Sequence, residues 1–255
     1  MRVLLIDAMN LIRRMYAGMP DHENKIQACV SKCVDVVSSI ANRVDATHCA
    51  VVFEDKEPTW RHQLWQDYKK GRQPMPEELQ PAIRQFWKGF TESGVKCLFK
   101  SAWEADDIIA TIAHKVAERQ GNVTIVSTDK GFYQLVNFHI QVLNYFDRKL
   151  YGAEEVFQRY GVHAHQLVDL IAITGDSTNH LPGIKGIGIK TATELLKQYE
   201  DLDGIYLAKD QLTSRQQKLI DEGWQNAALT RKLARLKVDM DVGANLSQIR
   251  YGIGQ

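Results

Sequence analysis

An α/β fold, with a mainly parallel central sheet flanked by helices and a helical region after it, is predicted by three features of this 255-residue chain. Short apolar runs recur through its first part, stretches with helical spacing separate those runs, and strand signals vanish after Gly152. Strands alternating with helices imply βαβ units. The sheet they build is covered on both faces, so its strands read as continuous hydrophobic runs.

The first element is Val3–Ile6. It lies in Met1-Arg2-Val3-Leu4-Leu5-Ile6-Asp7, where four apolar residues precede a carboxylate, too few for a signal-peptide core and suited to a first β-strand. Ala50–Phe53, Lys96–Phe99 and Thr124–Ser127 follow as buried strands, and Gln141–Tyr145 is a less apolar fifth. Ile108, Ile112 and Val116 recur every four residues and predict a helix between two of them. The segment from Glu57 to Pro81 breaks the rhythm with Pro58, Gly71, Pro74, Pro76 and Pro81, and it sets Trp60, Trp65 and Tyr68 among basic residues. It is expected to be an insertion over the sheet edge, partly helical. Beyond Gly152, helices are expected at Glu154–Tyr160, Ala164–Thr174, Ile187–Gln198 and Ser214–Leu236. The expected organisation is therefore an α/β part over 1–150, with its insertion at about 57–81, and a helical part over 151–255.

Composition excludes some classes. Hydrophobic content of 44% and charged content of 25% are ordinary for a globular protein, and no apolar run is long enough for a membrane span. Cys29, Cys33, Cys49 and Cys97 lack CxxC spacing. Cys29 and Cys33, one helical turn apart, could form half a metal site, but buried thiols in a reduced cytoplasmic compartment are the expectation. The net charge of +1 hides a local excess: Arg61, Lys69, Lys70 and Arg72 face one nearby acid, Asp67. A basic patch beside a separate acidic focus suits phosphate substrates handled through bound cations.

That acidic focus is the most informative pattern. Asp7 follows the first strand, Glu54 the second and Asp129 the fourth. In an open parallel sheet the C-terminal strand ends line the ligand crevice. One acid there is usually a helix cap. Several that converge repel one another unless they are protonated or joined by a cation. Glu104-Ala105-Asp106-Asp107 precedes the stripe Ile108, Ile112, Val116. Acids in a first helical turn favour the positive end of the helix, by about 0.3–1 kcal/mol each. Glu104 and Asp107, three apart, are expected to share a face while Asp106 points elsewhere, so the group could serve two adjacent ions. Oxygen-only ligation favours Mg²⁺ or Mn²⁺ over zinc, and a pair of such ions about 3.5–4 Å apart suits in-line phosphoryl displacement.

The segment Leu181-Pro182-Gly183-Ile184-Lys185-Gly186-Ile187-Gly188-Ile189-Lys190-Thr191-Ala192 carries a second motif. Gly186 and Gly188 allow a tight turn between helices, so backbone N–H groups and a helix N-terminus can approach a phosphate, with Lys185 and Lys190 adding charge. The pattern is helix-hairpin-helix, which grips duplex backbone without reading sequence. A purely structural helical turn is the plain alternative. The expected contacts are Lys185, Gly186, Ile187, Gly188, Ile189, Lys190 and Thr191. In the insertion, Tyr68-Lys69-Lys70-Gly71-Arg72 reads either as solvated charge or as a contact to the scissile phosphate and unstacked bases.

In order, Leu5-Ile6-Asp7, Val52-Phe53-Glu54, Trp60-Arg61-His62, Tyr68-Lys69-Lys70-Gly71-Arg72, Glu104-Ala105-Asp106-Asp107, Ser127-Thr128-Asp129-Lys130, Thr174-Gly175-Asp176 and the glycine hairpin resemble the 5′-nuclease family. That family includes bacteriophage flap endonucleases and the 5′-nuclease domain of bacterial DNA polymerase I. The compact length is most similar to its exonuclease IX type. The resemblance implies a PIN-like 5′-nuclease fold and a hydrolase of DNA replication and repair that cuts 5′ flaps or branched DNA as a monomer. It implies a first metal site of Asp7, Glu54, Glu104 and Asp106, with Asp107 and Asp129 between two ions, and Asp176 at the second. Lys69 and Arg72 would handle phosphate at the gateway. A K⁺ ion would rest on backbone carbonyls of Ile173, Thr174, Pro182, Ile184 and Ile187. Three positions depart from the family pattern. Gly131 and Asn179 stand where Asp is usual, and Glu54 stands for an Asp, with Asp55 a possible substitute. The resemblance with these departures implies one firm ion and a weak or DNA-dependent second. The rival expectations are a branch-binding protein with degraded catalysis, an RNA-cleaving enzyme, and a phosphatase of another α/β family.

Overall fold

The computed structural model describes residues 1–54 and 57–252; Asp55, the possible substitute for Glu54, lies outside the described residues. The strands are β1 (Arg2–Asp7), β2 (His48–Val52), β3 (Lys96–Leu98), β4 (Asn122–Val126), β5 (Ile140–Asn144) and β6 (Lys149–Tyr151). The helices are α1 (Ala8–Ala17), α2 (Lys25–Arg43), α3 (Trp60–Leu64), α4 (Leu79–Glu92), α5 (Ala105–Glu118), α6 (Ala153–Tyr160), α7 (Leu167–Thr174), α8 (Ile189–Tyr199), α9 (Leu202–Leu207) and α10 (Ser214–Ala234). The six strands form one sheet in the order β3-β2-β1-β4-β5-β6. All pairs are parallel except β5–β6.

Alternation along β1 shows how the sequence divides the core. Val3 and Leu5 join the apolar cluster beneath α5 and the helical half, whereas Leu4 and Ile6 pack into a second cluster with α1, α2 and α4. Burial on both faces explains why all of Val3–Ile6 is apolar. The expected insertion is partly helical, through α3, and otherwise turns and extended chain as far as α4.

Two elements differ from expectation. The strand β6 is three residues long and was not anticipated, because a run so short carries no period. Its hairpin with β5 gives the sheet an antiparallel edge. Helix α9 was also missed, since Leu202–Leu207 spans less than two turns. After Tyr151 the named elements are helical, as predicted. No helix among the described residues is long and apolar enough to cross a membrane. The cysteines are free and buried, with Cys29 and Cys33 both in α2.

Candidate active site

The register of the sheet brings the acids together. Asp7 pairs with Val52 across β1–β2, and Ile6 pairs with Val126 across β1–β4. Glu54 and Asp129 therefore leave the sheet within a few residues of the same level as Asp7, at the C-terminal ends of central strands. From the next crossover, Glu104 is the N-cap of α5 and Asp106 lies in its first turn. A cleft of about 370 Å³ opens there, lined by Glu104, Asp106, Asp129, Lys69, Arg72 and Asp176 among others.

The helix-cap and cluster readings are both true of the same side chains. Asp7 caps α1 by accepting from the Asn10 N–H at 3.1 Å through Oδ1, and its Oδ2 accepts from the Ser127 hydroxyl at 2.9 Å. Asp129 caps the 3₁₀ turn Lys130–Leu135, accepting from the Gly131 N–H at 2.7 Å. Capping fixes the rotamers and leaves the Asp129 charge near enough to act on Asp7. Burial, with the charges of Asp129 and Glu54, raises Asp7 from its ordinary 3.8 to about 6. Burial and the charges of Asp129, Asp7 and Glu104 hold Asp106 well above the usual carboxylate range, despite the opposing pull of Lys69. Acids that resist ionisation in this way are electrostatically poised for a cation.

Lysine and arginine supply part of the countercharge. The Lys69 ammonium lies 3.0 Å from Glu104 and 3.4 Å from Glu54. Although burial opposes its charged form, Glu104, Tyr68, Glu54 and Asp106 together push its pKa upward. Glu104 also accepts from the Thr59 hydroxyl at 3.1 Å and from the Tyr68 hydroxyl at 3.2 Å, and it stands 3.3 Å from Arg61. Burial disfavours its charge, but Lys69 and Arg61 prevail and lower its pKa.

Asp107 does not line the cleft. It was expected between two ions, sharing a face with Glu104. The two do meet one guanidinium, that of Arg61, but Asp107 is fully buried away from the cleft. It accepts from Arg61 Nη1 and Nη2 at 2.7 and 2.8 Å, from Trp60 Nε1 at 3.1 Å and from the Lys237 N–H at 2.9 Å. Those four bonds use the acceptor capacity of a carboxylate. Asp107 anchors the start of the insertion to α5 and to the chain after α10, while Asp106, expected to point elsewhere, lines the cleft. Arg61, counted in the basic patch from the sequence, is instead 1% exposed and also donates through Nε to the Leu233 carbonyl at 2.8 Å. Its place in Trp60-Arg61-His62 was the available signal.

Across the cleft, α7 ends at Thr174 and α8 begins at Ile189, with the glycine hairpin between them. A Cβ on Gly183 would come within 2.4 Å of the Gly175 nitrogen, so the two arms of the turn touch backbone to backbone. The Ile184 N–H donates to the Ile173 carbonyl at 2.7 Å, and the Thr230 hydroxyl donates to the Pro182 carbonyl. Gly186 takes φ +92°. Ile184 and Ile187 are buried anchors, whereas Lys185, Gly186, Gly188, Ile189 and Lys190 are exposed and Thr191 is half-buried. Ile187, expected at the DNA surface, can therefore offer backbone but not side chain.

For a divalent ion the donor set fits: oxygens only, from Asp7, Glu54, Glu104, Asp106 and Asp129, with Asp7 and Asp106 resisting ionisation. As the side chains stand, no group of three Asp, Glu, His or Cys residues among the described residues is arranged to hold a metal. Glu104 and Glu54 share the Lys69 ammonium instead. Near Asp176, Gly131 and Asn179 add no carboxylate, and Asp176 accepts instead from the Thr178 N–H at 2.9 Å and the Asn179 amide at 2.6 Å.

Comparison with known proteins identifies the family. A family model described as "5'-3' exonuclease, N-terminal resolvase-like domain" matches residues 2–161, and one described as "5'-3' exonuclease, C-terminal SAM fold" matches residues 162–254. Flap endonuclease Xni of Shewanella baltica is 40% identical over 98% of this chain and 94% of its own length. The Xni protein of Shewanella frigidimarina is 38% identical over 98% and 97%. Among solved structures, T5 5′-exonuclease with bound zinc superposes with a TM-score of 0.76 at 20% identity, covering 92% of this chain and 89% of that one. A T5 flap endonuclease in a pseudo-enzyme-product complex with DNA and metal ions gives 0.74 at 22% identity, covering 91% and 88%. The acidic sheet edge, the basic insertion and the glycine hairpin thus sit in a chain matched from end to end: it belongs to the 5′-3′ exonuclease family.

Proposed function

We propose that this protein is a structure-specific 5′ flap endonuclease, with 5′→3′ exonuclease action on the same site, hydrolysing DNA phosphodiester bonds with Mg²⁺ or Mn²⁺. The observation that carries the reading is the convergence of Asp7, Glu54, Glu104, Asp106 and Asp129 at one sheet edge, two of them raised, with Glu104, Asp106 and Asp129 lining a cleft beside Lys69 and Arg72. The relatives named flap endonuclease support the choice of substrate.

Asp7, Glu54, Glu104 and Asp106 would hold the first ion with Asp129 beside them, and Asp176 a weaker second. Bound there, the ions supply Lewis acidity and an acidified water. The chain's own residues do the remaining work. Lys69 and Arg72 orient the scissile phosphate and balance its charge. The exposed Lys185-Gly186-Ile187-Gly188-Ile189-Lys190-Thr191 segment grips duplex backbone through N–H groups, the α8 N-terminus and two ammonium groups. The adjoining 173–175 and 182–184 backbones suit a K⁺ ion held on the carbonyls of Ile173, Thr174, Pro182, Ile184 and Ile187. Four buried free thiols suit a reduced cytoplasmic compartment, and the protein would act as a monomer on DNA.

One observation favours a rival, a branch-binding protein with degraded catalysis: Asp176 has amide and glycine neighbours where a second ion needs carboxylates. Incubation with a labelled 5′-flap duplex and Mg²⁺ or Mn²⁺ separates the two. The proposal expects a short 5′ product from the wild type and none from Asp106→Ala, with flap affinity retained. Tight flap binding without product, or product undiminished in Asp106→Ala, would establish the rival or another site. Matched RNA flaps in the same assay test the DNA preference.

A further inference from the structure

The insertion carries Lys69 and Arg72 to the cleft, yet little regular structure holds them there. Between α3 and α4 the chain is turns and extended backbone, and Lys69 takes φ +56°, a conformation that L-residues adopt only when neighbours enforce it. The loop Asp176–Leu181, just before the glycine hairpin, supplies the enforcement. Its ends are closed by a reciprocal pair of bonds, Asp176 N–H to the Leu181 carbonyl at 3.0 Å and Leu181 N–H to the Asp176 carbonyl at 2.9 Å. On that closed loop the Trp65 indole N–H donates to the His180 carbonyl at 3.1 Å, and the Lys69 N–H donates to the Asn179 carbonyl at 3.1 Å. The Tyr68 ring packs with Leu181 and Leu233 beneath.

The Asn179 side chain makes the remaining link. Its Nδ2 donates to Asp176 Oδ2 at 2.6 Å, and its Oδ1 accepts from Arg72 Nη2 at 2.6 Å. A primary amide offers a donor at one atom and an acceptor at the other, so it can bridge a carboxylate and a guanidinium in series. The bond to Asp176 fixes which way the amide faces, and so aims the oxygen at Arg72. A carboxylate there would repel Asp176, and a methyl group would hold neither partner. Arg72 is exposed, with no burial to fix its rotamer. Among the described residues, this bond is what holds its side chain over the cleft.

We propose that Asn179 is the positioning residue of the basic gateway: its carbonyl holds the Lys69 backbone and its amide sets Arg72, so the hairpin loop and the phosphate-handling cations move as one unit. This rests on the reading of Lys69 and Arg72 as phosphate contacts and adds the group that places them. The chemistry of the ligand is a DNA phosphate at the 5′ branch.

Two measurements on the full-length protein test it. In the free protein, hydrogen–deuterium exchange is followed over the peptide spanning residues 65–73. Asn179→Ala and Asn179→Asp should each raise exchange at the Lys69 and Arg72 amides by about tenfold, leaving α5 and the sheet unchanged. Unchanged exchange in both variants overturns the proposal. The aspartate variant, equal in volume, guards against a merely misfolded alanine variant. In the second arm, affinity for a 5′-flap duplex is measured in EDTA for Asn179→Ala, Arg72→Ala and the double variant. Each single change should weaken binding about three- to tenfold and flatten the salt dependence by about one phosphate contact. The double variant should be no weaker than the worse single, since the two residues act through one contact. Independent, multiplying losses overturn the proposal, as do wild-type affinities in Asn179→Ala. Flap cleavage by the wild type is scored separately. Its absence would sink the nuclease reading, while the exchange experiment would still decide what Asn179 holds.

Discussion

At the scale of single residues, charge burial governs what each acid can do. Asp107 and Arg61 form a buried pair closed by further bonds to Trp60 and the Lys237 N–H. Removing Arg61 leaves a buried carboxylate without its cation, and removing Asp107 leaves the buried guanidinium with only the longer contact to Glu104 among the described acids. Asp107→Ala should therefore cost about 3–5 kcal/mol in urea unfolding, whereas substitution of half-buried Asp106 should cost far less. Comparable stabilities would refute the division of labour between these neighbours. Asp7 makes the opposite prediction. With its folded pKa raised from 3.8 to about 6, the folded state binds more protons than the unfolded chain between those values. Its contribution is thus fully present below pH 4 and is lost as pH rises through 6. In EDTA, Asp7→Asn should raise the thermal midpoint at pH 7.5 by several degrees, with the gain fading near pH 4. A midpoint equally shifted at both pH values would show that Asp7 is ionised throughout. Sequence disclosed Asp7 because it follows a strand, and Asp106 and Asp107 because they open a helix ahead of an apolar stripe. It could not disclose that Asp106 rather than Asp107 faces the cleft. Helical spacing fixes the angle between two side chains, but the partner that claims one of them, Arg61, is 46 residues away.

At the scale of elements, the glycine hairpin was legible because its chemistry is local. Gly183 permits the backbone contact with Gly175, and Gly186 takes a positive φ. The buried Ile184 and Ile187 alternate with exposed Lys185, Ile189 and Lys190 in the way a gripping turn requires. If the α8 N-terminus holds phosphate, Lys190→Ala should weaken binding to duplexes of any sequence alike, lowering the slope of log affinity against log salt by about one. A slope unaltered by the change would remove Lys190 from the interface. The insertion was legible only in part. Its prolines and glycine announce a break in rhythm, and its cations announce phosphate, but the seat on His180 and Asn179 depends on contacts more than 100 residues away in sequence. Nothing local in Asn179 marks it as that seat. Short pieces such as β6 and α9 were invisible for a different reason: a few residues cannot establish a period.

For the whole molecule, the order of strands turns separated sequence motifs into one site. Because β1 lies between β2 and β4, the acids following those three strands emerge together, and the crossover before α5 delivers Glu104 and Asp106 to the same edge. The helical half then closes the cleft from the other side, with Asp176 and Ile189 on its wall. The sheet, its parallel sense and the later helical region followed from hydrophobic periodicity, since both faces of β1 had to be buried. How the halves meet did not. That contact is made by side chains such as Arg61 and Gln134, which reach the Leu233 and Ala234 carbonyls at the end of α10. The central claim is that these carboxylates meet to hold a divalent cation. Calorimetric titration of the DNA-free protein with Mn²⁺ tests it most directly. The account predicts one saturable site, lost in Asp106→Asn and weakened in Asp7→Asn, with at most a much weaker second. Equal binding by wild type and Asp106→Asn, or two equally tight sites, would contradict it.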